Sequence, residues 1–173
     1  MLYNLKKIIT PDTDNTKEEV KMQVIGTDIM TQVALVVKDI EKTKARLALF
    51  FGVPEPPTIN SGDYAVTKTE VFGKPSPDAA CRMAFFSVGN GVQLELIEPN
   101  ETPSVWRDFL NERGEGIHHI AFNVKGMDAA IKSCEGFGME LVQKGNYGDG
   151  SGCYSYLNGG EGLPFILELL ENF

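Results

Sequence analysis

The chain has 173 residues, a net charge of −8, 42% hydrophobic residues and 23% charged ones, ordinary values for one domain or two small modules sharing a core. No apolar run approaches the roughly 20 residues of a membrane-spanning helix. No basic cluster is available to neutralise the phosphates of a nucleic acid or an anionic membrane, so small molecules or proteins are the expected partners.

Residues 1–28 stand apart as an N-terminal extension with the polar, acidic stretch PDTDNTKEE. They lack the apolar core and small-residue cleavage site of a secretory leader, so a cytoplasmic location is expected. The arm is expected to be mobile in part or to pack on a partner subunit. Cys81, Cys134 and Cys153 are odd in number and without CxxC spacing, which points to reduced structural thiols.

From there the chain contains itself twice. QVALVVKDIEKTKARLALFFG, starting at Gln32, aligns with HIAFNVKGMDAAIKSCEGFG, starting at His119, with one residue dropped. LELIEP (Leu94–Pro99) closes the first copy and LELLEN (Leu167–Asn172) the second. Each copy begins with period-two alternation and turns helical. The pattern predicts an α+β fold of two tandem βαβββ modules at 29–100 and 117–173, with a linker helix at 101–116, forming a curved mixed sheet around a metal site.

In the first module Asp39 is a predicted N-cap, with Ile40, Leu47, Phe50 and Phe51 on one face and Gly52 as the stop. An insertion, NSGDYAVTKTEVFGKPSPDAA, follows. The linker helix is predicted to be capped by Thr102, to start at Pro103, to bury Trp106, Phe109 and Leu110, and to end at Gly114. In the second module Met127, Ile131 and Cys134 form the apolar stripe ahead of Gly138. Remaining strands are expected around 63–70, 80–88, 91–98, 139–145, 152–157 and 164–171.

Four polar residues interrupt these strands. Gln32 shares a face with Ala34 and Val36, His119 with Ala121, and Glu95 and Glu168 each lie between leucines. Singly, each reads as a half-exposed strand residue. They occupy matching repeat positions, however, and a pseudo-two-fold axis brings such positions together. One imidazole, two carboxylates and one amide oxygen suit a divalent zinc, nickel, cobalt, manganese or iron ion. His118 is expected on the opposite face as a hydrogen-bonding structural residue. Tyr154 and Tyr156 follow the Gly-rich YGDGSG and read as sheet-packing residues or the lining of a substrate loop; Arg82, Arg107, Arg113 and Lys144 are candidate partners for an anionic tail.

PSVWRDFLNERGEGIHHIAFNV (Pro103–Val124), with GVQLELIEP and FILELLE, resembles the vicinal oxygen chelate (glyoxalase/bleomycin resistance/dioxygenase) superfamily, and most closely its methylmalonyl-CoA epimerases. The resemblance implies metal ligation by Gln32, Glu95, His119 and Glu168. It also implies an isomerase or epimerase acting through a metal-stabilised enolate next to a carbonyl or thioester. Glu168 would be the base and Asp78 the candidate second acid. Gln32 stands where those epimerases carry histidine, and the resulting set is similar to that of glyoxalase I. A lactoylglutathione-lyase activity is therefore the alternative, followed by a non-catalytic binding protein of the same fold; a dioxygenase is disfavoured by Gln32. The substrate would be an acyl-CoA or thiol adduct, and a homodimer is expected.

Overall fold

The computed structural model describes residues 23–89, 91–160 and 162–173. Of the N-terminal extension, residues 1–22 lie outside the described residues, while Val24 and Ile25 pack against the second module's hydrophobic cluster.

The first module runs β1 (Met30–Val36), α1 (Ile40–Phe51), β2 (Ile59–Asn60), α2 (Tyr64–Thr67), β3 (Glu70–Val71), β4 (Lys74–Pro75), β5 (Cys81–Ser87) and β6 (Gln93–Pro99). After α3 (Val105–Arg113) the second runs β7 (Gly116–Asn123), α4 (Met127–Gly136), β8 (Glu140–Asn146), β9 (Gly152–Asn158) and β10 (Ile166–Asn172). These strands form one sheet in the order β2-β5-β6-β1-β7-β10-β9-β8-β3-β4. Within each module the opening and closing strands pair in parallel, β1 with β6 and β7 with β10, and the antiparallel β1/β7 pair joins the two halves. The modules thus pair within one chain, as two tandem βαβββ units in a curled mixed sheet.

Alternation in the strands assigns two faces. On the inner face Ala34, Val36, Ile97, Tyr154 and Tyr156 cluster with Val105, Trp106 and Leu110 of α3. On the outer face α1 covers Ala84, Phe86 and Leu96 through Ile40 and Ala48, and α4 covers Leu167 and Leu169 through Met127, Ile131 and Cys134. The last glutamates of the two closing segments hold these helices in place. Glu98 accepts from Ile40 N at 2.7 Å and Glu171 from Met127 N at 2.8 Å, each placing a carboxylate at the positive end of its own module's helix.

Three sequence expectations are corrected. Residues 63–70 are not a strand of the first module: Asp63 caps Ala65 N at 2.7 Å and starts α2, after which β3 crosses to pair with β8 of the second module. The linker helix is capped by Ser104, which accepts from Arg107 N, rather than by Thr102, and it begins at Val105. Its buried residues include Trp106 and Leu110 as expected, with Phe109 partly buried. On α1 the buried stripe is Ile40, Lys44 and Ala48, leaving Phe50 79% exposed. That i, i+4, i+8 stripe accepts Lys44 because its ammonium reaches Thr58 Oγ1 at 2.9 Å and Glu41 at 2.7 Å while its stem stays apolar.

Candidate metal centre

Strand register puts the four candidate ligands into two rows across the middle of the sheet. Ala34 faces Glu95 on one side and His119 on the other; Ala121 faces Glu168 on one side and Gln32 on the other. The rows are related by the repeat. Neighbouring strands lie about 4.8 Å apart, and a fully buried alanine at the centre of each row leaves the floor between the donors free of bulk.

Two bulges aim the donors. The β1/β7 register slips between Met30 and Gln32 and again between Ala34 and Leu35, so Thr31 and His118 are the extra residues. They precede Gln32 and His119 at equivalent repeat positions. A bulge turns two successive side chains toward one side; Thr31 and Gln32 both line the inner cavity. His118 is therefore corrected from the expected opposite face. Its ring lies against Phe109 and Tyr156, and its Nδ1 is 3.0 Å from Nδ1 of His119.

Glu95, His119 and Glu168 are buried and offer ligand atoms within 4.8 Å of one another. His119 Nε2 lies 3.3 Å from Glu95 Oε2 and 3.0 Å from Glu168 Oε2, yet none of these three atoms has a hydrogen bond of acceptable geometry. Buried charged atoms left unpaired are costly. Lone pairs converging on one point without bonding each other are what a cation needs, and two carboxylates offset a 2+ charge. The set therefore fits a divalent ion held by Glu95, His119 and Glu168, with the buried Gln32 beside them on the same wall.

Electrostatics without the ion follow from the same crowding. Burial alone would lower the His119 pKa, but Glu168 and Glu95 outweigh it and push it up to about 9. Burial raises Glu95, helped by the charge on Glu168 and opposed by His119. His118 is driven the other way, to about 3, chiefly by burial and then by His119. A neutral His118 accepts at Nδ1 from the Nδ1–H of His119, which leaves Nε2 of His119 as the atom that faces the carboxylates. His118→Phe keeps the aromatic packing and removes this acceptor. It is expected to weaken divalent-metal binding roughly 10- to 100-fold in competition with a chromophoric chelator; unchanged affinity would remove His118 from that role.

Above the rows opens a cavity of about 890 Å³, within the usual range for small-molecule sites. Gln32, Glu95 and Glu168 line it, together with Tyr154, Tyr156 and Trp106, so the two tyrosines pack on the sheet and wall the cavity at once. Asp78 is not brought to this site. It is exposed, is not among the described lining residues, and its carbonyl accepts from Asn100 Nδ2 at 2.7 Å. None of Arg82, Arg107, Arg113 and Lys144 lines the cavity either. Sequence reasoning missed Trp106 as a wall of the site, since an amphipathic helix shows its buried face but not what that face borders. It also missed Gln143, which accepts from Val105 N at 3.1 Å, donates to the Tyr154 hydroxyl at 3.3 Å and so fixes α3 over the sheet.

A two-module curled sheet with an acid–imidazole cluster at its pseudo-axis defines the class of fold. The chain belongs to the Glyoxalase/Bleomycin resistance protein/Dioxygenase superfamily, whose sequence model matches residues 31–156. Among solved structures it is similar to methylmalonyl-CoA epimerase from Mycobacterium tuberculosis, at 23% identity and a TM-score of 0.56 over 83% of this chain and 87% of that one. Streptomyces coelicolor methylmalonyl-CoA epimerase in complex with 2-nitronate-propionyl-CoA gives 18% identity and a TM-score of 0.59 over 83% and 96%. The uncharacterized protein YqjC of Bacillus subtilis (strain 168) is 36% identical over 62 residues, a stretch covering 36% of this chain and 44% of that protein, less than half its length. Among the described residues no helix is long and apolar enough to cross a membrane.

Proposed function

We propose that this chain is a divalent-metal-dependent isomerase that moves a proton at the carbon next to a carbonyl group. The observation that carries this reading is the convergence of buried, unbonded Glu95, His119 and Glu168 atoms where Glu95 and Glu168 line the cavity. A divalent ion held by Gln32, Glu95, His119 and Glu168 would supply Lewis-acid stabilisation of negative charge developing on a substrate oxygen, worth several kcal/mol.

The chain's own residues do the rest. Glu168 takes the proton from the carbon next to the carbonyl and delivers it, on the same face, to the former carbonyl carbon, so that the carbonyl and its neighbouring hydroxyl carbon exchange places. As a carboxylate it is within reach of both the ion site and the cavity. Tyr154, Tyr156, Trp106 and Met83 give the space apolar walls, beside which charge interactions are stronger than in bulk water. Exposed Asp78 gives no support to a second acid on the opposite face, so proton transfer by one base is favoured over a two-base epimerisation. A glyoxalase-type lyase is the second reading, favoured by Gln32 in the ligand set; methylglyoxal with glutathione tests it by absorbance.

The deciding experiment is deuterium exchange in D2O by metal-loaded protein, comparing wild type with Glu168→Gln. The panel is methylmalonyl-CoA, the methylglyoxal–glutathione adduct and an uncharged hydroxyketone. The variant keeps an oxygen donor and loses the base, so it should hold metal while exchange with the accepted compound falls roughly 100-fold or more. No exchange with any compound, or equal exchange in both proteins, overturns the reading.

A further inference from the structure

Resting on that reading of the metal centre, we infer that the substrate is an uncharged, hydroxyl-bearing carbonyl compound without a phosphate or carboxylate tail. No lysine or arginine is among the described residues lining the cavity. Its polar wall is built instead from amides and hydroxyls, including Thr31, Asn60, Gln93, Asn123, Asn146 and Asn172. Such groups both donate and accept, which matches hydroxyls and matches a full anionic charge poorly.

Three cations that the sequence offers for an anionic tail are committed elsewhere. Arg82 holds Glu98 at 2.7 Å, Arg107 donates to the carbonyls of Asn100 and Pro99 at 2.6 and 2.7 Å, and Lys144 lies 3.4 Å from Glu70. Arg113 lies over the Phe109 ring and borders a different cavity. The charge balance points the same way. Glu95 and Glu168 offset the ion, while Asp149 adds an acidic group to the wall. Its carboxyl is held below its usual range by hydrogen bonds from the Ser151 side chain and backbone.

The inserted segment blocks one side of the cavity. A Cβ at Gly62 would lie 2.5 Å from Gly148 Cα, so the start of the insertion and the β8–β9 turn meet backbone to backbone at the cavity wall, with no room between them for a long tail.

The test uses the full chain loaded with cobalt(II), whose visible spectrum reports ligands near the ion. It is titrated with erythrulose, dihydroxyacetone phosphate and methylmalonyl-CoA, in wild type and in Gln93→Lys, an exposed wall position that adds a cation. Wild type should respond saturably to erythrulose and at least about tenfold more weakly to both anionic probes. Gln93→Lys should shift the preference toward the phosphate. Equal or tighter binding of either anionic probe by wild type, or no response to any probe, overturns the inference alone. A chain that takes up no cobalt overturns the metal-centre reading and this inference together.

Discussion

His119→Ala is expected to cost far more metal affinity than the roughly 10- to 100-fold of an outer partner such as His118, and to leave no retained ion after gel filtration. The imidazole is fully buried between two carboxylates at 3.0 and 3.3 Å, and no other side chain in the two rows offers a nitrogen lone pair, since the Gln32 amide ligates through its oxygen. Its loss removes one ligand and leaves Glu95 and Glu168 facing each other without a cation. In chelator at pH 7 the variant should also lose a few kcal/mol of stability in urea, because breaking a buried ion pair strands a charge. Glu95→Gln separates the two effects: it retains an oxygen, lowers affinity less, and relieves the like-charge contact. Full metal retention by His119→Ala would sink the site.

Much of this site is legible before any coordinates because the repeat supplies an internal control. Gln32 matches His119 and Glu95 matches Glu168, so a polar residue in one strand is checked against its partner in the other. The same repeat carries the fold class, since each copy changes period from strand to helix at the same place. What periodicity does not carry is a one-residue slip. Strict alternation sends His118 and His119 to opposite faces, whereas the bulge at His118 brings both rings to one side. Nor does it carry where an insertion goes. Val66, Val71 and their neighbours have strand-like composition, yet Asp63 starts a helical turn there and the short β3 finds its pair on the other module. The cap glutamates Glu98 and Glu171 were equally hidden, because a glutamate in a closing strand shows no sign that it reaches a helix start in the outer layer.

Metal-free protein is expected to lose stability as the pH rises from about 6.5 to about 9, and metal-loaded protein is not. His119 titrates near 9 in the fold against an ordinary value of 6.5, a raised pKa, so its stabilising contribution is complete below pH 6.5 and disappears as the pH climbs through 9. Glu95 is raised as well, which means the folded state again binds protons more tightly than the unfolded one, and its effect has the same sign. The loss should be on the order of 3 kcal/mol. His118 gives the opposite slope. Its pKa falls to about 3 in the fold, so stability is present above pH 6.5 and is lost as the pH drops toward 3. Two adjacent histidines thereby contribute a stability maximum near pH 6.5 to the metal-free chain, and His118→Phe should remove the part of the acid limb that His118 contributes while leaving the alkaline one. A divalent ion held by His119 would displace its titrating proton, so loading should abolish the alkaline limb and release about one proton per ion below pH 9. Thermal denaturation at fixed ionic strength across pH 5.5–9.5, with chelator and with zinc, measures both limbs. A flat or rising alkaline limb in chelator would mean that His119 is not held between two carboxylates, and the convergence on which the metal centre rests would be lost with it.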